Sequence, residues 1–235
     1  GPESVYFAVA GISALAVVLT SRLPRFLPEL NNAKKNVFED ISEGLKYTWS
    51  NRLVFVLLIS GLTSALLAMP FRMQIPVFTR RLYDIDAAEI GWLMAVMGIG
   101  GLLAAVITAN LRQGHHRGPI LLIVGVGGSG VGMLFLAVSQ IYVIGLAVMV
   151  VIGFAGAIRM TLGQSLTIEA TDDAFRARVM SLNMMTFGLM PVGALPMGYA
   201  IDHLGAQATL FIVGIVLIAA TVLLVLGSST IRRVS

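Results

Sequence analysis

Seven long apolar runs, separated by short polar gaps, decide what this chain can fold into. They are Val5–Ser21, Leu53–Phe71, Ile90–Leu111, Pro119–Val138, Ile141–Ile158, Val179–Ile201 and Leu204–Gly227. Each is close to the length a helix needs to cross the hydrocarbon core of a bilayer, roughly 17–25 residues at about 1.5 Å each. Hydrocarbon holds no water to satisfy backbone N–H and C=O groups, so such runs must be helices. The predicted fold is therefore an all-α membrane protein with seven transmembrane helices and the lipid bilayer as its first partner. Composition agrees, because 57% of the residues are hydrophobic and only 12% charged, where a soluble domain carries about 25% charge.

A net charge of +4 and a pI near 9.8 point to nucleic acid only until the basic residues are located. They do not form one patch; they punctuate the gaps, as topology signals do, so no nucleic-acid partner is expected. Arg22, Arg25, Lys34, Lys35, Lys46 and Arg52 follow the first run. Arg112 and Arg117 follow the third, Arg176 and Arg178 the fifth, and Arg232 and Arg233 the last. The other gaps hold only Arg80 and Arg81. By the positive-inside rule the N-terminus lies outside and the C-terminus in the cytoplasm of an integral plasma-membrane protein. The chain starts at Gly1, and its first run lacks a signal peptide's basic flank and cleavage pattern, so it reads as a true span of a piece of a longer polypeptide.

The domain organisation is then a first transmembrane helix over 1–23, a cytoplasmic amphipathic linker over 24–52, and a six-helix transmembrane part over 53–235. Within the linker Val37, Ile41, Leu45 and Thr48/Trp49 fall on one helical face with acids between them, the pattern of a helix lying on a membrane surface. The gaps at Gln140 and at Asp202-His203 are short enough to make antiparallel hairpins of the flanking helices. Gly125-Val126-Gly127-Gly128-Ser129-Gly130 matches the dinucleotide fingerprint in letters. However, the next acid is Glu169 and the glycines sit inside a span. Helix packing, with GxxxG spacing at Gly128 and Gly132, is the reading kept.

The segments Ile41–Trp49, Gln74–Arg80, Phe175–Leu182 and Gly188–Gly205, in a chain of one span, a linker and six spans, together resemble the sixth helix, central linker and C-terminal half of a Major Facilitator Superfamily transporter. Ile41-Ser42-Glu43-Gly44-Leu45-Lys46-Tyr47-Thr48-Trp49 resembles the lead-in to the seventh helix in that superfamily's efflux branch, which contains enterobactin-exporter-like and macrolide-exporter-like proteins. Gln74-Ile75-Pro76-Val77-Phe78-Thr79-Arg80 resembles that helix's end. Phe175-Arg176-Ala177-Arg178-Val179-Met180-Ser181-Leu182 resembles the approach to the eleventh. Gly188–Gly205, with Pro191, Gly193, Gly198 and Asp202, resembles the helix and turn beyond that approach. The chain departs from the pattern at Ala177, where the family has Gly, and in Asn110–Gly118, which lacks the family's Asp. The resemblance implies secondary active transport, with export of a small amphipathic molecule (a drug, siderophore or metabolite) by alternating access. It also implies a bacterial inner membrane and an N-terminal half of the same protein as partner.

The candidate residues are those whose polarity needs a reason inside a membrane. Arg159, flanked by Gly156 and Gly163, either faces a cavity and attracts an anionic or polar substrate, or snorkels to the surface. Arg72 and Gln74 lie between Pro70 and Pro76, in a kinked cavity-lining segment or at a helix end. Asn183 and Met184, with Met185 and Phe187, either line a permissive site, to which methionine adapts, or pack and face lipid; Gln164 and Thr167 are weaker candidates. Asp172, Asp173, Arg176 and Arg178, with Glu169, could latch a cytoplasmic gate or form a solvated loop. No acid lies within a run, there is no cysteine, and no cofactor, metal site or catalytic set is expected. A non-transporting seven-span sensor or assembly protein fits the span count equally well.

Overall fold

The structure, a computed structural model, describes residues 2–21, 37–111, 117–139 and 141–227. The expected linker positions 24–36, residues 112–116 of the basic loop, Gln140 and the C-terminal arginines lie outside these. The chain divides into two units, Gly1–Lys35 and Asn36–Ser235. The first contains helix α1, Pro2–Ser21, whose 20 residues rise about 30 Å, enough to span a bilayer.

Among its described residues the second unit consists of helices and short connections between them. Helix α2 is Val37–Ser50. Six helices then follow that are long and apolar enough to cross a membrane: α3 Arg52–Tyr83, α4 Ala87–Asn110, α5 Arg117–Val138, α6 Tyr142–Glu169, α7 Asp173–Leu204 and α8 Ala206–Gly227. The fold class expected from the seven apolar runs is therefore the one found. Local chemistry fixes the helix starts. The Asn51 side-chain oxygen accepts from the N–H groups of Leu53 and Val54 at 3.2 and 3.3 Å, capping α3, while its amide donates to Ala170 O at 3.2 Å. Asp86 and Glu89 form a capping box at the start of α4. Gly205 alone joins α7 to α8 with φ +85°, a conformation that only glycine adopts without strain.

Three spans are longer than their apolar runs by two turns or more. The second run was expected to close at Phe71, yet α3 continues through Pro70 and Pro76 to Tyr83. The fifth was expected to close at Ile158, yet α6 runs on to Glu169. The sixth gains a turn at each end, so Leu204 belongs to α7 and not to the next span. Charged residues marked the limits of the runs, but a helix needs only its own backbone bonds and carries polar side chains wherever protein rather than lipid meets them.

The helices are held by a core that includes Phe71, Phe78, Leu93, Met133, Met149 and Leu217 and by backbone contacts at glycines. A Cβ on Gly100 would lie 2.0 Å from Val150 O, and one on Gly153 only 1.9 Å from Met97 O. Helices α4 and α6 thus cross with backbone against backbone. Gly130 and Gly214 do the same for α5 and α8, each 2.9 Å by this measure from the other's carbonyl oxygen. The glycines of the apparent dinucleotide fingerprint are used in this packing: Gly125 faces the Arg159 backbone, Gly127 faces Thr221, and Gly130 faces Gly214.

Two helices are irregular at one level. Helix α3 widens into a π-helical turn at Ser64–Ala68, and α7 breaks its ladder at Leu189 before Pro191 and Pro196. They cross just there, because a Cβ on Gly193 would lie 2.0 Å from Leu66 O. A second π-helical turn, Leu121–Gly127, lies in α5 opposite α6. π-Turns leave ladder positions unfilled and recur at functional sites.

Candidate functional site

Helix lengths set the depth of Arg159 and Arg72. Arg159 lies ten residues before the end of α6, about 15 Å along its axis, and about 26 Å from its start. Arg72 lies about 17 Å from the end of α3 and about 30 Å from its start. Neither sits at a helix end, contrary to the span limits expected from the apolar runs. Both line one cleft of about 30 Å³, together with Ser64, Met69, Met133 and Met160. The Arg72 guanidinium lies flat over α6 at Gly156, where a Cβ would meet Cζ and both Nη atoms at 3.5–3.6 Å. Only a residue without a long side chain leaves it that room.

Arg159 is also a wall of a second cleft, of about 20 Å³, lined by Ser60, Gln164, Thr167, Asn183 and Phe187 among others. The side chains expected to line a cavity thus divide. Arg72 and Arg159 meet in one cleft, and Arg159, Gln164 and Asn183 meet in the next. Gln74 lies apart from both and donates to Ala194 O at 3.2 Å, tying α3 to α7 beside Pro196. Met184 is exposed and lines neither cleft.

Among the described residues, neither Arg72 nor Arg159 has a carboxylate or hydrogen-bond partner. Ser64 shares their cleft. It is 1% exposed, and its hydroxyl has no partner, although Ser60 and Thr63 nearby donate to Leu57 O and Ile59 O. A buried hydroxyl without a partner costs about 1–3 kcal/mol. Sequence reasoning passed over Ser64, because nothing in Thr63-Ser64-Ala65 announces a π-helical turn.

Of the expected gate residues, Arg178 and Asp172 tie the start of α7 to α2 at one end of the bundle. Arg178 reaches α2, with Nε 2.9 Å from Asp40 Oδ1 and Nη2 3.0 Å from Glu43 Oε2. Its guanidinium lies 5.4 Å from the centre of the Phe175 ring, which stacks on Tyr47. The Asp172 N–H donates to Tyr47 Oη at 3.1 Å. Asp173 pairs with Arg176 on its own helix at 2.6 Å. Helix α2 lies so close to α7 that a Cβ on Gly44 would come within 3.2 Å of Leu182. Its buried side is Gly44 and Thr48, while Leu45 and Trp49 are exposed. The expected apolar face therefore divides between bundle and surroundings.

A second tie at the same end was half foreseen through Glu169. Arg117 Nη1 donates to both Glu169 oxygens at 2.8 and 3.0 Å, and Nη2 donates to Ser165 at 2.9 Å. At the opposite end Arg81 donates to Asp202 at 2.8 Å and to Ile201 O at 3.0 Å. That pairing gives Arg81 a local role in the gap that broke the charge alternation. Among the described residues no three His, Asp or Glu side chains converge as a metal centre requires.

The chain matches no curated protein. The sequence pattern of the Major Facilitator Superfamily matches residues 62–233, most of the chain and all of α4 to α8, and the protein accordingly belongs to that superfamily of membrane transport proteins.

Proposed function

We propose that this chain is the C-terminal portion of a secondary active transporter that exports small amphipathic molecules by alternating access. The observation that carries the reading is the level at which polarity collects. Two arginines, a buried serine and two irregular helices meet deep inside long apolar helices, far from the charged ends. Substrate sites in this kind of fold lie near the bilayer midplane, at the interface of two repeats and beside discontinuous helices. The cleft has room for one polar group of a substrate and no more, so the rest of the molecule lies against a facing wall. An N-terminal half of the same protein supplies that wall in this reading. The efflux branch is proposed from the lead-in over residues 41–49 and from residues 175–182. The basic ends of α5 and α7 then face the cytoplasm, by the positive-inside rule.

The test is transport by the full coding sequence expressed in cells that lack their major efflux pumps. Cells energised after loading with a fluorescent amphipathic dye should lose it several-fold faster than empty-vector cells, and Arg159→Ala should remove most of the gain. Dye loss equal to the empty vector across a panel of amphipathic dyes would overturn the export reading.

A further inference from the structure

The arginines at the two ends of the bundle and those at its middle are treated differently. Arg81, Arg117, Arg176 and Arg178 each have a carboxylate within 3.0 Å, while Arg52 and Arg80, which have none among the described residues, are exposed. Arg72 and Arg159 have none among the described residues, yet they share one cleft with each other. An unpaired cation at membrane depth costs about 2.5–3.5 kcal/mol even on the mildest scales, and a second of the same sign beside it adds repulsion. The cleft also holds the unpartnered hydroxyl of Ser64. This donor is independent of the arginines and is supplied by a different turn of α3. Two guanidinium forks and a free hydroxyl make a donor-rich site that lacks an acceptor.

We infer that this cleft binds the anionic head of an amphipathic organic acid, held between Arg72 and Arg159 with Ser64 as a third donor. The inference rests on the transport reading and names the substrate class for it. The head must be small, because about 30 Å³ admits a water molecule or two and therefore a carboxylate-sized group. Both guanidiniums can then donate charge-assisted bonds to its oxygens, while Ser64 binds a remaining lone pair. The part of the molecule next to the head is apolar, because Ala68, Met69, Met133, Ile152 and Met160 also line the cleft and the Ser129 hydroxyl is already committed to Gly125 O, and methionine adapts to varied apolar shapes. Gly156 keeps the cleft open, because any longer side chain there would occupy the place of the Arg72 guanidinium.

The experiment uses the full-length protein in nanodiscs of phosphatidylcholine, with 2-naphthoate and its uncharged isostere 2-naphthamide as probes, read by calorimetric titration and by thermal unfolding. Naphthoate is expected to bind at least tenfold more tightly than naphthamide and to raise the unfolding temperature. Arg72→Gln and Arg159→Gln should each weaken naphthoate at least tenfold, and Ser64→Ala a few-fold. Without ligand, both arginine variants should unfold at or above the wild-type temperature, because each relieves an unpaired charge. Equal binding of the two probes overturns the proposal. So does a lower unfolding temperature in both unliganded variants, which would make the arginines structural ties. Inorganic sulfate binding as tightly as naphthoate would mean a bare oxyanion site. Loss of naphthoate binding on adding phosphatidylglycerol would mean a lipid headgroup, and either result overturns the substrate assignment. Naphthoate that binds but is not moved in proteoliposomes refutes transport alone. Naphthamide and naphthoate moved at equal rates refutes the anion site alone.

Discussion

Replacing Gly153 with alanine tests the packing that holds the candidate site in place. The added Cβ would stand 1.9 Å from the Met97 carbonyl oxygen and 2.8 Å from its carbon. Ordinary contact begins near 3.4 Å, so α4 and α6 must part locally by roughly 1.5 Å or bend. Both opposing atoms are backbone and cannot rotate away. Overpacking of this kind costs about 1–3 kcal/mol, and a backbone clash belongs at the upper end. Alanine returns about 1 kcal/mol through helix propensity, which leaves a net loss near 2 kcal/mol. Gly98, on the same pair of helices, has nothing within 4 Å of its Cβ position, so Gly98→Ala should gain up to about 1 kcal/mol. The two variants differ by one methyl group each and should shift in opposite directions, about 3 kcal/mol apart. At about 2–4 °C per kcal/mol for a chain of this size, that separates their unfolding temperatures by roughly 6–12 °C in mild detergent. If Gly153→Ala unfolds at or above the temperature of Gly98→Ala, the close crossing of α4 and α6 is wrong, and the placement of Arg159 on α6 loses its support.

The ties at the helix ends give two further expectations. Glu169→Ala leaves Arg117, whose side chain is only 11% exposed, without its carboxylate. It should cost about 1–3 kcal/mol, and the double variant Arg117→Met/Glu169→Ala should recover most of that loss in the same melt; no recovery would show that the pair is not the cause. Arg178→Ala removes both ion pairs to α2 and the contact with Phe175, so amide exchange over residues 37–50 should speed up several-fold while α4 and α6 stay protected. Unchanged exchange over 37–50 would mean that α2 is held by its Gly44 and Thr48 face alone.

Apolar length was the most legible property, because lipid demands it and a run of uncharged residues displays it directly. It gave the number and order of the helices, and the short gap at Asp202-His203 announced the α7–α8 hairpin, although the break itself falls beyond it, at Gly205. Helix limits were less legible. Arg72 and Arg159 closed two of the apolar runs and carried two readings each, lining a cavity or lying at a helix end or surface, because a charge inside hydrocarbon is costly; both lie well inside continuous helices. A cleft between helices is not hydrocarbon, and only the packing around Gly156 and Gly125 distinguishes the two surroundings. Ser64 was illegible for a different reason. Its hydroxyl is free because α3 widens there by one backbone bond, a property of the ladder that no side-chain pattern encodes. The partners of Arg178 were hidden by distance in the chain, since Asp40 and Glu43 lie more than 130 residues upstream.

The two kinds of contact in the bundle make different demands on motion. Where α4 crosses α6, α5 crosses α8 and α3 crosses α7, glycines set backbone against backbone with no side chain between. Sliding either helix by a residue would bring a Cβ into a carbonyl, so these crossings lock the helices in pairs, and the approaches of Gly125 to the Arg159 backbone and of Gly156 to Arg72 link the pairs into one body. The ties from Arg178 to α2 and from Arg81 to Asp202 are part-exposed ion pairs. Such pairs are worth about 0–1 kcal/mol each and exchange readily for water. A change of state in this part of the protein is therefore cheapest as a rigid displacement of the six-helix body with its end ties breaking and reforming. Hinging within the body would have to undo the crossings that place Arg72 against Gly156. For the alternating-access cycle proposed above, this means that the cleft keeps its shape and the surface that closes over it is what changes.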